Sequence, residues 1–336
     1  MLFFKPNNRN NNASLTIDNR IKAGIIGFII GDALGVPVEF VGRESLKDNK
    51  IFDMEEYGTH NQPKGTWSDD SSMMLATIDG LINSSLPNID YVGIMKNFLK
   101  WKRNGEFTAF NHVFDIGNAT SYALMQYQRN INNDKENDII CGTGDISSNG
   151  NGSLMRILPI SIYLHTSNIA YKDNKYFEII SKISGMTHSH IYSILGCYIY
   201  SIYVSELLKG NDKYVAYHNL QNICSDINID GIDIYNRIIK NDISKLKEHE
   251  IKSTGYVLDT LKAAIWCLLT TNSYKEAVLK AVNLGDDTDT VAAITGGIAG
   301  ILYGYEELPN KWINNIQKNE YVKEITDKFV YKILRQ

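Results

Sequence analysis

Cysteine is scarce in this 336-residue chain, and its four copies, Cys141, Cys197, Cys224 and Cys267, stand far apart with no Cys-x-x-Cys pair. That spacing argues against a zinc site and against a dense disulfide framework, and it fits a reducing, intracellular setting. A basic arm is also missing: the formal net charge is −4 and charged residues make up 21% of the chain, so there is no clear nucleic-acid footprint. With 43% hydrophobic residues the chain is too apolar to be disordered. The most apolar run, Ala23 to Gly31, is followed at once by Asp32 and is too short to cross a bilayer. The N-terminus passes from Met1-Leu2-Phe3-Phe4 straight into a polar stretch from Asn7 to Asn12, without the apolar centre of a signal peptide. These absences predict a cytoplasmic protein, monomeric and without a membrane partner, whose residues 1–15 form a mobile tail.

Strands are missing as well. No series of alternating apolar and polar residues with hairpin turns occurs, and long apolar-periodic segments dominate, so the predicted fold class is all-α. No repeat period and no clear linker divide the chain, which predicts one domain over 16–336. Helices are expected over 17–34, where Pro37 ends the element, and over 90–103 with Asp90 as cap and Gly105 as stop. Others are expected at 118–129, from the histidines at 188 and 190 to Lys209-Gly210, and at 212–222, 233–248 and 255–270. The polar stretch 130–137 reads as a flexible loop. Gly27, Gly31 and Gly35 recur every four residues, as do Gly296, Gly300 and Gly304, placing a smooth stripe on each of two helices near opposite ends of the chain. Such stripes allow close helix packing.

What the chain does have is acid concentrated at helix entrances. Gly285-Asp286-Asp287-Thr288-Asp289-Thr290 holds three carboxylates and two hydroxyls in six residues, directly ahead of an apolar helical run. Asp and Thr make good N-caps, and acids near a helix N-terminus are favoured by its dipole, but a cap uses one such residue. Three crowded carboxylates repel one another unless a cation neutralises them, and oxygen-rich sets of this kind suit Mg²⁺, Mn²⁺ or Ca²⁺. A second entrance, Ser68-Asp69-Asp70-Ser71-Ser72, precedes another helical run, so the two together point to a shared metal site. Glu39, on the loop after Pro37, would act as acid or base if it were enclosed. The small-residue loop Ser147 to Ser153 lets backbone N–H groups approach phosphate or ribose oxygens. It is neither a Walker A loop nor a dinucleotide fingerprint. His188 and His190, two apart at a helix start, cannot face the same way, which argues against a joint metal site.

Taken in order, Gly31-Asp32-Ala33-Leu34-Gly35-Val36-Pro37-Val38-Glu39-Phe40, Gly65-Thr66-Trp67-Ser68-Asp69-Asp70, Gly150-Asn151-Gly152-Ser153-Leu154-Met155-Arg156 and Gly285 to Thr290 closely resemble the motifs of the ADP-ribosylglycohydrolase family. Members of that family include the dinitrogenase reductase-activating glycohydrolases. The likeness runs from about Ile21 to Gly304. It implies a compact, orthogonal multi-helix fold with a binuclear Mg²⁺ or Mn²⁺ centre in a cleft. Ser68, Asp69, Asp70, Asp287, Asp289 and Thr290 match the metal ligands, and Glu39 matches a glutamate beside the metals. Proton transfer is left between Glu39 and a metal-bound water. Ser148, Asn149, Gly150, Asn151 and Gly152 match the segment that holds ADP-ribose, His188 a ribose-side histidine, and Gly117 a glycine near the diphosphate. The family's usual second motif reads Gly-Gly-Asp-Thr-Asp-Thr, so Asp286 stands where a glycine is usual and has no implied task. The resemblance implies hydrolysis of ADP-ribose from an ADP-ribosylated protein or small molecule, with arginine the preferred acceptor. Two alternatives are a catalytically silent ADP-ribose binder on the same fold, which the intact acidic sets oppose, and an all-α diphosphate enzyme, whose Asp-Asp-x-x-Asp pattern is absent.

Overall fold

The structure is a computed structural model that describes residues 15–335. The predicted tail, apart from Leu15, lies outside the described residues. Among the described residues the regular elements are fifteen α-helices and seven 3-10 turns, with no strand.

Two helices form the centre, Ile17–Gly35 and Thr288–Tyr303, and they pack against each other more extensively than any other pair. They run antiparallel, and the glycine stripes are the reason they can approach so closely. A Cβ built at Gly27 would stand 2.6 Å from Gly296 O, one at Gly31 2.1 Å from Ala292 O, and one at Gly300 2.1 Å from Ala23 O. At Gly35 it would stand 2.3 Å from Asp289 Cα. Any side chain at these positions pushes backbone away from backbone. Gly24 extends the stripe, meeting Ile301 and Gly297 O, whereas Gly304 leaves it: with φ +88 it caps the helix and lies against Leu15 and Asn19. The consequence for function is positional. Gly35, four residues before Glu39, rests on Asp289, so a carboxylate of the second acidic entrance is fixed against the N-terminal helix.

By length and composition, Ile17–Val38 and Ile191–Leu208 are apolar enough to span a bilayer, contrary to the expectation drawn from Ala23 to Gly31. Their windows are nevertheless 94% and 83% buried by the protein itself, so their apolarity serves the core. The helix Tyr91–Asn104 starts where the Asp90 side chain accepts from Gly93 N at 2.8 Å and stops at Gly105 in the left-handed region. Asn118–Asn132, Lys213–Ser225 and Val257–Leu269 occupy the expected ranges to within a few residues.

Two expectations need correction. Over 233–248 there is no continuous helix but the short pieces Ile232–Tyr235, Asn236–Ile239, Ile243–Lys245 and Glu248–Glu250. Asn241 donates its amide to Asn236 O, and Asp242 accepts from Ser244 N, so side chains take backbone groups that a continuing helix would need. The stretch 130–137 is not all loop: the helix Asn118–Asn132 runs into it, Asn130 donates to Asp138 O at 2.7 Å, and Lys96 pairs with Glu136 at 2.7 Å.

A candidate metal centre in an acidic cleft

The helix Asp69–Asn83 begins with Ser68 as N-cap, its hydroxyl accepting from Asp70 N at 3.2 Å. The entrance is anchored from below by Asp32, fully buried on the central helix. One Asp32 carboxylate oxygen accepts from Ser68 N at 2.9 Å; the other accepts from Ser71 N at 2.9 Å and from the Ser71 hydroxyl at 2.6 Å. Burial pushes the Asp32 carboxyl up to about 6, against the pull of the Ser71 and Ser68 hydrogen bonds. The second entrance faces the first. The Thr290 hydroxyl donates to Asp70 at 3.3 Å, and the Thr288 hydroxyl donates to Gly35 O at 2.8 Å. Residues more than two hundred positions apart thereby share one site.

The electrostatics of the cluster are those of carboxylates without enough positive charge. Burial pushes Asp69, Asp70 and Asp289 well above the usual carboxylate range, and the neighbouring carboxylates push further in the same direction. Asp287 is raised as well, by burial. Two oxygens, Asp70 Oδ2 and Asp287 Oδ1, are buried with no hydrogen-bond partner. A buried acceptor left bare is costly, and a cation is the natural partner for an ionised one. Ligand atoms of Asp32, Asp70 and Asp289 lie within 4.8 Å of one another, as do those of Glu39, Asp287 and Asp289. Asp289 belongs to both groups. Asp32 has already committed both oxygens to the Ser68–Ser71 turn, so it is better placed to hold the helix entrance than to ligate. The donor set that remains, carboxylates and hydroxyls, is the kind hard divalent cations take.

Glu39 follows the 3-10 turn Val36–Val38 and is 5% exposed. Its carbonyl accepts from the Thr59 hydroxyl at 2.7 Å, and its carboxylate contacts the Nε2 of His60. Burial, with added repulsion from Asp115 and Asp287, pushes the Glu39 carboxyl up to about 7, while the hydrogen bond to Glu39 raises His60. His60 packs edge-on to Phe40 and tilted against Phe114, with ring centroids 5.9 and 5.1 Å away. Glu39, His60 and Asp115 form a third group with ligand atoms within 4.8 Å. His60 and Asp115 were not among the residues expected from the sequence. His60 closes the 3-10 turn Gly58–His60 with no periodicity to mark it, and Asp115 lies in the segment 115–118, from which only Gly117 was expected.

A cavity of about 340 Å³ is lined by the acidic residues Glu39, Asp69, Asp70 and Asp287, by Thr290, and by Gly117, Gly150, Asn151, Gly152 and His188. Ser148 and Asn149 do not line it. The Asn149 carboxamide is buried and occupied, accepting from Ser193 N and the Ser193 hydroxyl and donating to Ile146 O. It fastens the loop to the helix Ile191–Leu208. Asn151 works toward the acidic cluster: its amide donates to Asp287 at 2.8 Å and to the Thr260 hydroxyl at 3.0 Å. His188 is buried, with Nδ1 bonded to the Thr187 hydroxyl at 2.7 Å, and burial with the nearby Arg156 pushes it down to about 3. Burial thus favours its neutral imidazole form. A Cβ at Gly152 would stand 2.8 Å from the His188 ring, so glycine is what lets loop and ring share this wall. His190 faces elsewhere, serving as N-cap of the following helix. Asp286 is exposed and adopts φ +62, the left-handed conformation glycine favours.

A family profile described as ADP-ribosylglycohydrolase matches residues 13–336. An ADP-ribosylarginine hydrolase, Tri1, of Serratia proteamaculans is 31% identical over 314 residues, covering 93% of this chain and 79% of its own. An ADP-ribosyl-[dinitrogen reductase] glycohydrolase of Rhodospirillum rubrum is 22% identical, covering 90% and 91%. A solved structure titled ADP-ribosylglycohydrolase-related protein complex superposes with a TM-score of 0.76 at 24% identity, over 95% of this chain and 99% of that one, which shows the fold.

Proposed function

The chain belongs to the ADP-ribosylglycohydrolase family and is a glycosidic-bond hydrolase, and from that premise we propose that it releases ADP-ribose from an ADP-ribosylated arginine side chain with two divalent cations, Mg²⁺ or Mn²⁺. The observation that carries the metal reading is the pair of buried, unpartnered oxygens on Asp70 and Asp287, set in two carboxylate groups that share Asp289. Ser68, Asp69, Asp70, Asp287, Asp289 and Thr290 would hold the ions. When bound, they supply Lewis-acid stabilisation of charge developing on the ribose and a site for water. Arginine as the acceptor is supported by the 31% identical relatives of Serratia proteamaculans and Pseudomonas putida, both named ADP-ribosylarginine hydrolases.

The chain's own groups fit a reaction with an oxocarbenium-like transition state. Glu39, buried at the edge of the cleft with its carboxylate against His60, takes a proton from water at that carboxylate and returns it toward the leaving nitrogen. His60 holds that carboxylate in place. His188 offers an uncharged ring nitrogen to a sugar hydroxyl, so it adds no positive charge that would repel a cationic acceptor. The backbone of Gly117, Gly150 and Gly152, unobstructed by side chains, is suited to the diphosphate and ribose oxygens.

The test is incubation with mono-ADP-ribosylated arginine and serine peptides in Mg²⁺, in Mn²⁺ and in chelator, with free ADP-ribose quantified. Release from the arginine peptide that chelator abolishes is the expected result; no release under any condition would sink the enzymatic reading for these substrates.

A further inference from the structure

The loop that presents Asp287 is tied to the loop that presents Glu39 by one side chain, that of Arg43. It opens the short helix Arg43–Asp48. Its Nε donates to Leu284 O at 2.7 Å, its Nη1 to Glu248 O at 2.8 Å, and its Nη2 to Ile251 O at 2.6 Å and the Ser253 hydroxyl at 3.3 Å. Around this fork the backbone closes on both sides of Asp287. Phe40 N donates to Asp286 O at 2.7 Å, Asp286 N to Val41 O at 2.9 Å, and Asp287 N to Ser253 O at 3.0 Å. The Ser253 hydroxyl donates to Leu284 O at 3.1 Å. Gly285 permits the contact: at φ +76, a Cβ there would stand 2.5 Å from Arg43 N. The planar guanidinium, with five donors, is the one side chain able to serve these acceptors together; an ammonium reaches fewer of them in this geometry.

We propose that Arg43 is a positioning residue for the metal centre, holding the 284–287 and 251–253 segments so that Asp287 is presented for ligation before the ion arrives. This rests on the metal assignment made above. Groups that orient ligands from behind commonly change metal affinity by about 10–100-fold when removed. The clamp and simple electrostatics predict opposite signs. Removing a positive charge from beside a dication site strengthens ion binding by Coulomb's law, whereas loosening the clamp weakens it.

The experiment is Mn²⁺ titration of the full chain, followed by the paramagnetic resonance signal of the free ion, with thermal unfolding in chelator as a second readout. Arg43→Met is expected to bind Mn²⁺ at least tenfold more weakly than the wild type, and Arg43→Lys less tightly than the wild type. Arg20→Met is the control, because Arg20 bonds Ile301 O and Leu302 O on the central helix pair away from the acidic cleft. It should lose thermal stability and keep wild-type Mn²⁺ affinity. Wild-type or tighter binding in a folded Arg43 variant, or equal weakening in Arg20→Met, overturns the clamp while leaving the metal centre standing. A wild-type protein that takes up no Mn²⁺ removes the metal centre and the clamp together.

Discussion

On the metal centre proposed above, the protein in chelator should become less stable as the pH rises from 5 to 8, and with cations bound more stable. Glu39 would ionise at about 4.5 in the unfolded chain, but burial and the facing carboxylates push it up to about 7 in the folded one. Between those values the folded state keeps a proton that the unfolded state has released, so each increment of pH favours unfolding. At about 1.4 kcal/mol per pH unit, the rise from 4.5 to about 7 corresponds to roughly 3 kcal/mol from Glu39 alone. Asp32, moved from 3.8 to about 6, acts with the same sign, as do the raised Asp69, Asp70 and Asp289. His60 does not offset them: its raised value means that its contribution, too, is present at low pH and lost as the pH climbs through it. The expected loss is on the order of 5–10 °C in Tm. Mn²⁺ or Mg²⁺ reverses the slope because the ligands must be deprotonated to bind, and an ion at a hundred times its Kd adds about 2.7 kcal/mol. Differential scanning fluorimetry at half-unit pH steps, in chelator and in excess Mn²⁺, measures both curves. A chelated protein whose Tm is flat or rises over this range would refute the reasoning, since buried carboxylates unneutralised by cations cannot leave stability indifferent to pH.

Asp70→Asn should abolish ADP-ribose release yet raise Tm in chelator, because the amide keeps an acceptor for Thr290 while removing a charge that the buried site disfavours; a variant with full turnover would refute the metal assignment. Gly31→Ala places a Cβ 2.1 Å from Ala292 O and should cost about 3 kcal/mol or more in urea unfolding, whereas Gly42→Ala, with nothing within 4 Å, should stay within about 0.5 kcal/mol of the wild type. Asp286→Gly should raise stability by up to about 1 kcal/mol, since the left-handed conformation costs an L-residue about 1–2 kcal/mol and glycine's extra unfolded-state freedom returns part of it. Its Mn²⁺ affinity should equal that of the wild type; a tenfold loss would make Asp286 a ligand after all.

The parts of the site legible in the sequence were those where local rules and chemistry coincide. Ser68-Asp69-Asp70 and Asp287 to Thr290 are helix entrances, visible because each precedes an apolar run, and their excess of acid over what a cap requires is visible in the same few residues. The glycine stripes were legible for a similar reason: the four-residue period is set by one helix, and the partner stripe by the other. What escaped was assembled across the chain. His60 closes a short turn with no period, and Asp115 lies two residues before Gly117 with nothing to mark its carboxylate, so the two stand out only when the fold brings them to Glu39. Asn149 and Asn151 lie two positions apart in one small-residue loop, yet one fastens that loop to a helix and the other donates to an Asp287 oxygen; composition cannot separate them, because the choice depends on what packs behind each. Asp32 did carry a signal, a carboxylate closing the most apolar run of the chain. Its two oxygens satisfy the Ser68–Ser71 turn, so the acid that looks most buried is the one that organises the others.

Asp286 brings the two levels together. In the sequence it is a third carboxylate crowded beside two others, and crowding suggested a role in cation binding. In the structure its backbone is paired in both directions with Phe40 and Val41, its φ is +62, and its side chain is exposed with only a 3.5 Å contact from the Ser253 hydroxyl. What the position requires is a left-handed turn that reverses the chain ahead of Asp287, and glycine meets that requirement with less strain. Aspartate is among the few other residues that tolerate it. The third carboxylate is thus explained by backbone geometry, and the turn it makes delivers Asp287 and Asp289, the two carboxylates of this segment that the proposed metal centre uses.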